Sequence, residues 1–497
     1  MNVPEIRIRP LNECPIRGDG EYVLYWMVAH RRTRSNFSLQ RAIELSQDLK
    51  KPLLVFEALR CGYEWASDRL HRFVLQGMAA NQESLKNSPA SYYGYVEPEP
   101  GQGTGLLEAL AAKACAVITD DFPCFFIPRM LQHVAPRLSV TMEAVDSNGL
   151  LPMRAASQIY PTAYAFRRFL HKELPGHLLQ TPHANPFARV KLPELKRLPP
   201  EICAHWPMAS ATMLQATPEV LATLPIDHSV GPAVFDGGSN AAKKTLNRFL
   251  EKRFDRYFEE RNLPEEDVTS GFSPYLHFGH IGAHEIFDRI AHREHWAVEK
   301  VFDQKATGKR AGWWGMSETA EAFLDQLITW RELGYNMCWQ RDDYDQYESL
   351  PDWAQTTLAK HARDPRDPCY TREEFEQATT HDELWNAAQR QLVTEGRMHN
   401  YMRMLWGKKI LQWSASPQEA LQTMIHLNNK YAIDGRNPNS YSGIFWCLGR
   451  YDRAWGPERP IFGKIRYMCS KNTARKFSVK GYLERFSRES RQGQLFD

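Results

Sequence analysis

Apolar positions in the first third of the chain gather into short runs separated by amphipathic stretches. The runs at 22–27, 52–58, 92–97, 114–119 and 139–146 read as buried strands. Between them, at 37–49, 70–85, 106–114 and 127–134, apolar residues recur every three or four positions, the period of a helix. Strand–helix alternation implies parallel crossovers. The expected fold is therefore an N-terminal α/β domain with a doubly wound, Rossmann-like parallel sheet.

The pattern changes near 182. Prolines then recur at 182, 186, 193, 199, 200, 207, 218, 225 and 232 with little periodicity, which reads as a connection wrapping the surface. From 238 onward the spacing is helical, over 241–260, 284–295, 317–336, 381–395, 401–413 and 417–429. The expected division is an α/β domain over 1–181, an interdomain connection over 182–237 and a larger all-helical domain over 238–497.

Composition narrows the class. With 43% hydrophobic and 12% aromatic residues over 497 positions, large packed cores are expected rather than disorder. A formal charge of +3 from 62 basic and 59 acidic residues neither requires nor excludes a nucleic-acid partner. The nine cysteines form no CxxC pair, and no secretory signal pattern follows Met1, so a cytoplasmic protein is expected. No apolar run reaches the roughly 18 residues of a membrane span, so no membrane partner is expected. No strand is followed by GxGxxG or GxxxxGKS, and Gly101, Gly103 and Gly105 have the wrong spacing. A conventional dinucleotide or P-loop site in the first half is not expected on that ground.

Three clusters could carry chemistry. Thr269-Ser270-Gly271-Phe272-Ser273-Pro274 sets hydroxyls and backbone amides ahead of a helix, which suits an anion such as a pyrophosphate and equally suits a simple cap. Trp406 and Trp413 lie seven residues apart on one helical face, downstream of Trp385, and alone would also fit an aromatic core stripe. The segment 434–446, rich in Gly, Pro and Asn, reads as a turn-rich loop rather than a helix, a common place for polar ligand contacts.

Together and in this order, these clusters resemble the photolyase/cryptochrome family, and in detail its class II cyclobutane pyrimidine dimer photolyases. The strings that carry the resemblance are SPYLHFG at 273–279, LWNAAQ at 384–389, MHNYMRM at 398–404, DGRNPN at 434–439 and ERPIFGKIRYM at 458–468. The resemblance implies an FAD-binding helical domain that repairs dimers in UV-damaged DNA with light. By similarity, Tyr257, Thr269, Ser270, Gly271, Phe272 and Ser273 would contact the FAD phosphates and ribityl chain. Arg403 and Asp434 resemble the charge pair beside the flavin, and Asn400 and Arg436 fall in the same cofactor-binding strings. Asn439 resembles the residue facing flavin N5, with Asn428 as the competing assignment.

Trp385, Trp406 and Trp413 resemble the class II tryptophan path. Glu332 resembles the carboxylate that bonds the damaged bases, with Met404 near the dimer. Trp446, Tyr335 and Trp339 would wall the flipped lesion, and Arg450, Arg453, Lys464 and Arg466 would meet DNA phosphates. The sequence departs from the class II pattern at Asn400, where Gly is common, and along Val28–Arg32, where acidic residues are usual. The resemblance also implies an antenna chromophore, 8-hydroxy-deazaflavin in preference to folate, and a monomer is the simplest expectation.

Other readings give different expectations. A cryptochrome-like photoreceptor would bind flavin without repair. A metal site on His277, His280 and His284 lacks a second HExxH histidine, and none is expected. The segment Gln492-Gly493-Gln494-Leu495-Phe496 resembles the peptide by which bacterial repair proteins dock on the sliding clamp, and it equally fits a frayed polar terminus.

Overall fold

A computed structural model describes residues 2–488, so the clamp-like peptide lies outside the described residues. Contacts divide the chain into two units. One comprises Met1–Ser157, Leu170–Asn247 and Gly271–Lys305; the other comprises Gln158–Phe169, Arg248–Ser270 and Ala306–Asp497.

The first unit holds a six-stranded sheet: β1 (Ile8–Pro10), β2 (Tyr22–Met27), β3 (Leu53–Leu59), β4 (Ala90–Val96), β5 (Ala114–Asp120) and β6 (Met142–Val145). Their order is β1-β6-β5-β2-β3-β4. All pairings are parallel except β1 with β6. The expected doubly wound sheet is present, with one addition, the short antiparallel edge strand β1. Three residues ending in a proline carry no periodicity for sequence reading to detect. Every residue of β2 and β5 is buried, which explains why these strands read as continuous apolar runs. The crossovers are α1 (Phe37–Leu49), α2 (Asp68–Leu85), α3 (Leu106–Ala111) and α4 (Ile127–Val134). Asn36 caps α1 by accepting from Ser38 N and Leu39 N.

Between β2 and β5 the strand order reverses, and in such sheets the crevice at that point takes anionic ligands. Here it takes the protein's own carboxylate. Asp120, at the end of β5, accepts from the amides of Val28, Ala29 and His30 and from the Tyr25 hydroxyl, each at 2.8 Å. Burial pushes the Asp120 carboxyl up, but His30 beside it and these amides outweigh burial and hold it below the ordinary value. Next to it, the fully buried Glu57 of β3 accepts from Arg31 (2.8 Å), Asn81 (3.0 Å) and the Tyr92 hydroxyl (2.8 Å). The basic stretch after β2 is thus tied inward.

The proline-rich stretch forms three short helices, Pro200–His205, Ala211–Gln215 and Pro218–Leu221, the last two capped by Ser210 and Thr217. Leu214, Ala216, Leu221 and Leu224 pack with Leu59, Val74, Leu75, Met78 and Val96, all within the first unit.

The second unit is helical. The stretch 241–260 breaks near Arg253: Gly238–Lys252 is followed by two short turns, Phe254–Arg256 and Tyr257–Glu260. The stretch 317–336 is also interrupted. Glu318–Leu324 leads into a π-helical turn, Asp325–Trp330, and then into Arg331–Gln340. Arg167 bonds the buried Asp325 at 2.9 Å, where the π turn begins. The longest of the later helices are Glu383–Glu395, Asn400–Trp413, Pro417–Tyr431 and Pro438–Cys447.

Two glycines let helices approach Pro438–Cys447. A Cβ on Gly407 would collide with Cys447 Sγ, and one on Gly334 would lie 2.7 Å from the Pro438 oxygen.

Replacing Asp120 by Ala strands three amides and a phenol, each at a cost of about 1–3 kcal/mol. The variant is expected to lose about 3 kcal/mol or more in urea denaturation at pH 7. Because the folded carboxyl titrates below its unfolded value, the wild-type advantage holds above the ordinary carboxylate range. It is expected to fade as pH falls below about 4. Equal midpoints at pH 7 would contradict the anchoring role.

Candidate functional site

The helix Glu383–Glu395 starts where Asp382 accepts from Trp385 N at 3.0 Å and stops at Gly396 in the left-handed conformation. The next helix, Asn400–Trp413, is capped by His399, whose Nδ1 accepts from Tyr401 N at 3.3 Å. Burial lowers His399 to about 4, so its ring is neutral at pH 7 and can accept. These two helices bring the three tryptophans together. Trp385 is fully buried, and Trp406 and Trp413 are nearly so. The Trp385 indole donates to the Trp406 carbonyl (3.0 Å), and the Trp406 indole donates to Gln389 Oε1 (2.8 Å). The Trp385 and Trp413 rings meet edge-on at 6.2 Å. Beyond Trp413 lie His381 at 4.9 Å and Tyr370 at 5.8 Å. Trp385, Trp413, His381 and Tyr370 thus form one continuous set of ring contacts.

Arg403 and Asp434, 31 residues apart, form a two-point ion pair at 3.2 and 3.4 Å. Asn428, buried, donates to Ser440 Oγ at 2.6 Å. Asn439 is exposed, with its backbone amide bonded to Asn437 Oδ1 at 3.0 Å. Asn400 is exposed at the first turn of its helix, and Met404 is half-buried one residue beyond Arg403.

One expectation for this region is corrected. The segment 434–446 is a loop only as far as Asn437; Pro438–Cys447 is a helix, with Asn437 as N-cap and proline at the first helical position, a helix-start signal that the Gly, Pro and Asn content masks. Arg436 is 2% exposed and ties off the carbonyls of Asn429, Ala432 and Ile433 at the end of Pro417–Tyr431.

Glu332 is buried in the first turn of Arg331–Gln340. The π turn before it shifts the helical phase, and such turns are frequent at functional sites. Tyr335 is buried as well; Arg331 stacks over its ring at 4.5 Å and donates to its hydroxyl at 3.0 Å. Trp339 and Trp446 are half-buried. The fully buried Lys408 contacts Trp446, with Nζ 4.6 Å from the ring centre.

Of the four basic residues expected on phosphate, Arg450 is the buried one. It is 2% exposed, stacks on Phe445 at 3.7 Å, and donates to Tyr344 O (3.1 Å) and Ser349 O (3.2 Å). Burial lowers it to about 10. Arg453 and Lys464 are exposed, and Arg466 is half-buried, bonded to Asp452 at 2.8 and 3.1 Å.

Thr269 and Ser270 are half-buried, and Arg253 donates to the Thr269 carbonyl at 3.2 Å. Burial, and then repulsion from Arg248 and Arg397, lower Arg253 against the pull of Asp267. Three guanidinium groups share this neighbourhood, of which Arg253 is paired with Asp267 and Arg397 with Glu395. Tyr257 is packed among Phe249 and Phe323, with Arg261 over its ring. In the first unit, Gly271 adopts φ +74° and is half-buried, Phe272 is buried, and Ser273 is exposed. His280 and His284 are core side chains there: His280 accepts from Gly238 N at 2.9 Å and stacks on Phe73, and His284 packs edge-on against Phe37.

No family model matches the chain. It is 34% identical to the deoxyribodipyrimidine photo-lyase of Methanothermobacter thermautotrophicus, covering 96% of this chain and 97% of that one. It is 33% identical to the Oryza sativa enzyme of the same name, over 96% of this chain and 89% of the other. With the Potorous tridactylus enzyme, also of that name, the values are 31%, 97% and 84%. In fold it is similar to a class III photolyase from Agrobacterium tumefaciens and a cryptochrome from Synechocystis. Each has a TM-score of 0.66 and 16% identity, covers 94% of this chain, and is itself covered over 86% and 88%. Near-full-length identity above 30%, on a parallel sheet and a helical unit with clustered tryptophans, means that the chain belongs to the photolyase/cryptochrome family.

Proposed function

We infer that the protein is a deoxyribodipyrimidine photolyase of the class II type, splitting cyclobutane pyrimidine dimers in UV-damaged DNA with light. The observation that supports this most is the cluster of Trp385 with Trp406 and Trp413, the last two on the helix that also carries Arg403, the partner of Asp434.

The residues fit FAD. The arginines around Thr269 suit its pyrophosphate, and the half-buried Arg403–Asp434 pair suits its ring system. Thr269 and Ser270 would hold the phosphates, and Tyr257, buried, would support them by packing. The chemistry that bound, reduced FAD supplies is one light-driven electron, lent to the dimer and recovered once the ring has opened. Arg403, fixed by Asp434, places a positive charge that favours negative charge on the ring. Asn428 is the better of the two N5 assignments, because its amide is buried and held by Ser440 whereas Asn439 faces solvent. Trp385, Trp406 and Trp413 carry an electron inward from the surface side.

Glu332 accepts N–H groups of the flipped bases. Trp446 and Trp339 form the aromatic wall, with Met404 beside it, and Tyr335 braces Arg331 from within. Arg453, Lys464 and Arg466 meet phosphates. The resemblance adds an 8-hydroxy-deazaflavin antenna and clamp docking, and the nine cysteines without a CxxC pair fit a cytoplasmic monomer. No helix among the described residues is long and apolar enough to cross a membrane.

Three measurements test this reading. Purified protein is mixed with a dimer-containing oligonucleotide under reducing conditions, with and without blue light. Glu332→Ala is expected to cut light-dependent repair roughly 10- to 100-fold, the worth of one charge-assisted hydrogen bond. Flavin bands without repair would favour the photoreceptor reading, and no flavin after reconstitution would sink both. Separately, Trp385→Phe is expected to abolish light-driven flavin reduction while sparing repair once dithionite has reduced the flavin. Asn428→Ala, and not Asn439→Ala, is expected to shift the flavin reduction potential.

A further inference from the structure

A lysine buried without a carboxylate partner is costly, because its ammonium gives up water for whatever the interior offers. Lys408 is 0% exposed in the middle of Asn400–Trp413. Its Nζ donates to the carbonyls of Cys447 (2.8 Å) and Trp446 (3.4 Å), the last residues of Pro438–Cys447, and lies 4.6 Å from the Trp446 ring centre. A second cation approaches the same ring. Arg466 is 5.5 Å from Trp446 and 4.1 Å from Trp455, anchored to Asp452.

We propose that Lys408 is a positioning residue for lesion recognition, fixing the Trp446 indole as a wall of the dimer pocket. The ammonium ties down the backbone that carries the ring and holds the ring by its π-face. The guanidinium of Arg466 sets the same indole from a separate segment. A rigid wall favours a lesion of fixed shape over undamaged bases, so the effect falls on discrimination rather than on DNA affinity at large. This rests on the reading of Trp446 as a lesion contact.

The charged and titratable groups around Lys408 are Cys447, Asp452 and Arg466. Burial pushes Cys447 up to about 11, so it stays a thiol below that. Burial raises Asp452, but the Arg466 hydrogen bond and the Arg453 amide outweigh it, keeping a carboxylate at neutral pH and above. Arginine keeps its charge throughout. Burial brings Lys408 itself down to about 8. Between pH 7 and 9 it is therefore the member of this group that changes charge, and the hold on Trp446 weakens as pH rises.

The test compares binding of dimer-containing and intact oligonucleotides to flavin-loaded protein in the dark, from pH 7 to 9. Wild type is expected to lose about fivefold of its preference for the dimer across that range. Lys408→Met, which keeps the volume, is expected to show the reduced preference at every pH with a flat profile, at unchanged flavin content. A flat wild-type profile, or Lys408→Met matching wild type at pH 7, overturns the inference. Trp446→Leu separates this from the functional reading: if it keeps full preference, Trp446 is no lesion contact and that assignment fails first. If Trp446→Leu loses preference and has no pH step while wild type has one, the lysine is assigned even should Lys408→Met fail to fold.

Discussion

The helical unit depends on how closely Pro438–Cys447 is gripped by its neighbours. Gly407 lets Asn400–Trp413 lie against Cys447, and Gly334 lets Arg331–Gln340 lie against Pro438 and Ser442. Any side chain at either glycine would force a helix outward. Because both contacts are made on one short helix, three chain segments far apart in sequence are fixed in register: those carrying Glu332, Arg403 with Lys408, and Trp446. A site built on helices packed at this distance inherits their rigidity, and lesion selection and electron transfer both benefit from fixed geometry.

Charge in this unit is held by backbone as much as by opposite charge. Arg436 and Arg450 spend their donors on carbonyls at helix ends and turns, and Lys408 does the same at the end of Pro438–Cys447. These groups define the shapes of loops that would otherwise be loosely determined by a Gly-, Pro- and Asn-rich sequence. The first unit uses a carboxylate for the same purpose, since Asp120 gathers the amides after β2.

Much of this was legible from periodicity. Tyr22–Met27, Phe37–Leu49 and Ile127–Val134 have the bounds that spacing alone predicts, because each is a run packed on one core with a clear stop. The failures have physical causes. Ile8–Pro10 is too short to have a period, and the π turn at Asp325–Trp330 adds a residue to a helical count that spacing cannot see. In Pro438–Cys447 a loop-like Gly, Pro and Asn composition masks the cap that starts a helix. Site residues divided similarly. The tryptophans and the Arg403–Asp434 pair were found through motifs, whereas a string cannot distinguish a surface arginine from one that caps carbonyls. Arg436 and Arg450 are both of the second kind, and nothing in the Lys408-Lys409 pair marks which lysine is buried.

The hydrogen bonds on the inner tryptophans have a further consequence. When an indole loses an electron, its N–H becomes strongly acidic, and losing that proton would trap the vacancy where it stands. The Trp385 and Trp406 N–H groups face a peptide carbonyl and the amide of Gln389, neither basic enough to take a proton. Under the proposed function, a hole formed on either ring would keep its charge and stay free to move outward, without a stored oxidised intermediate.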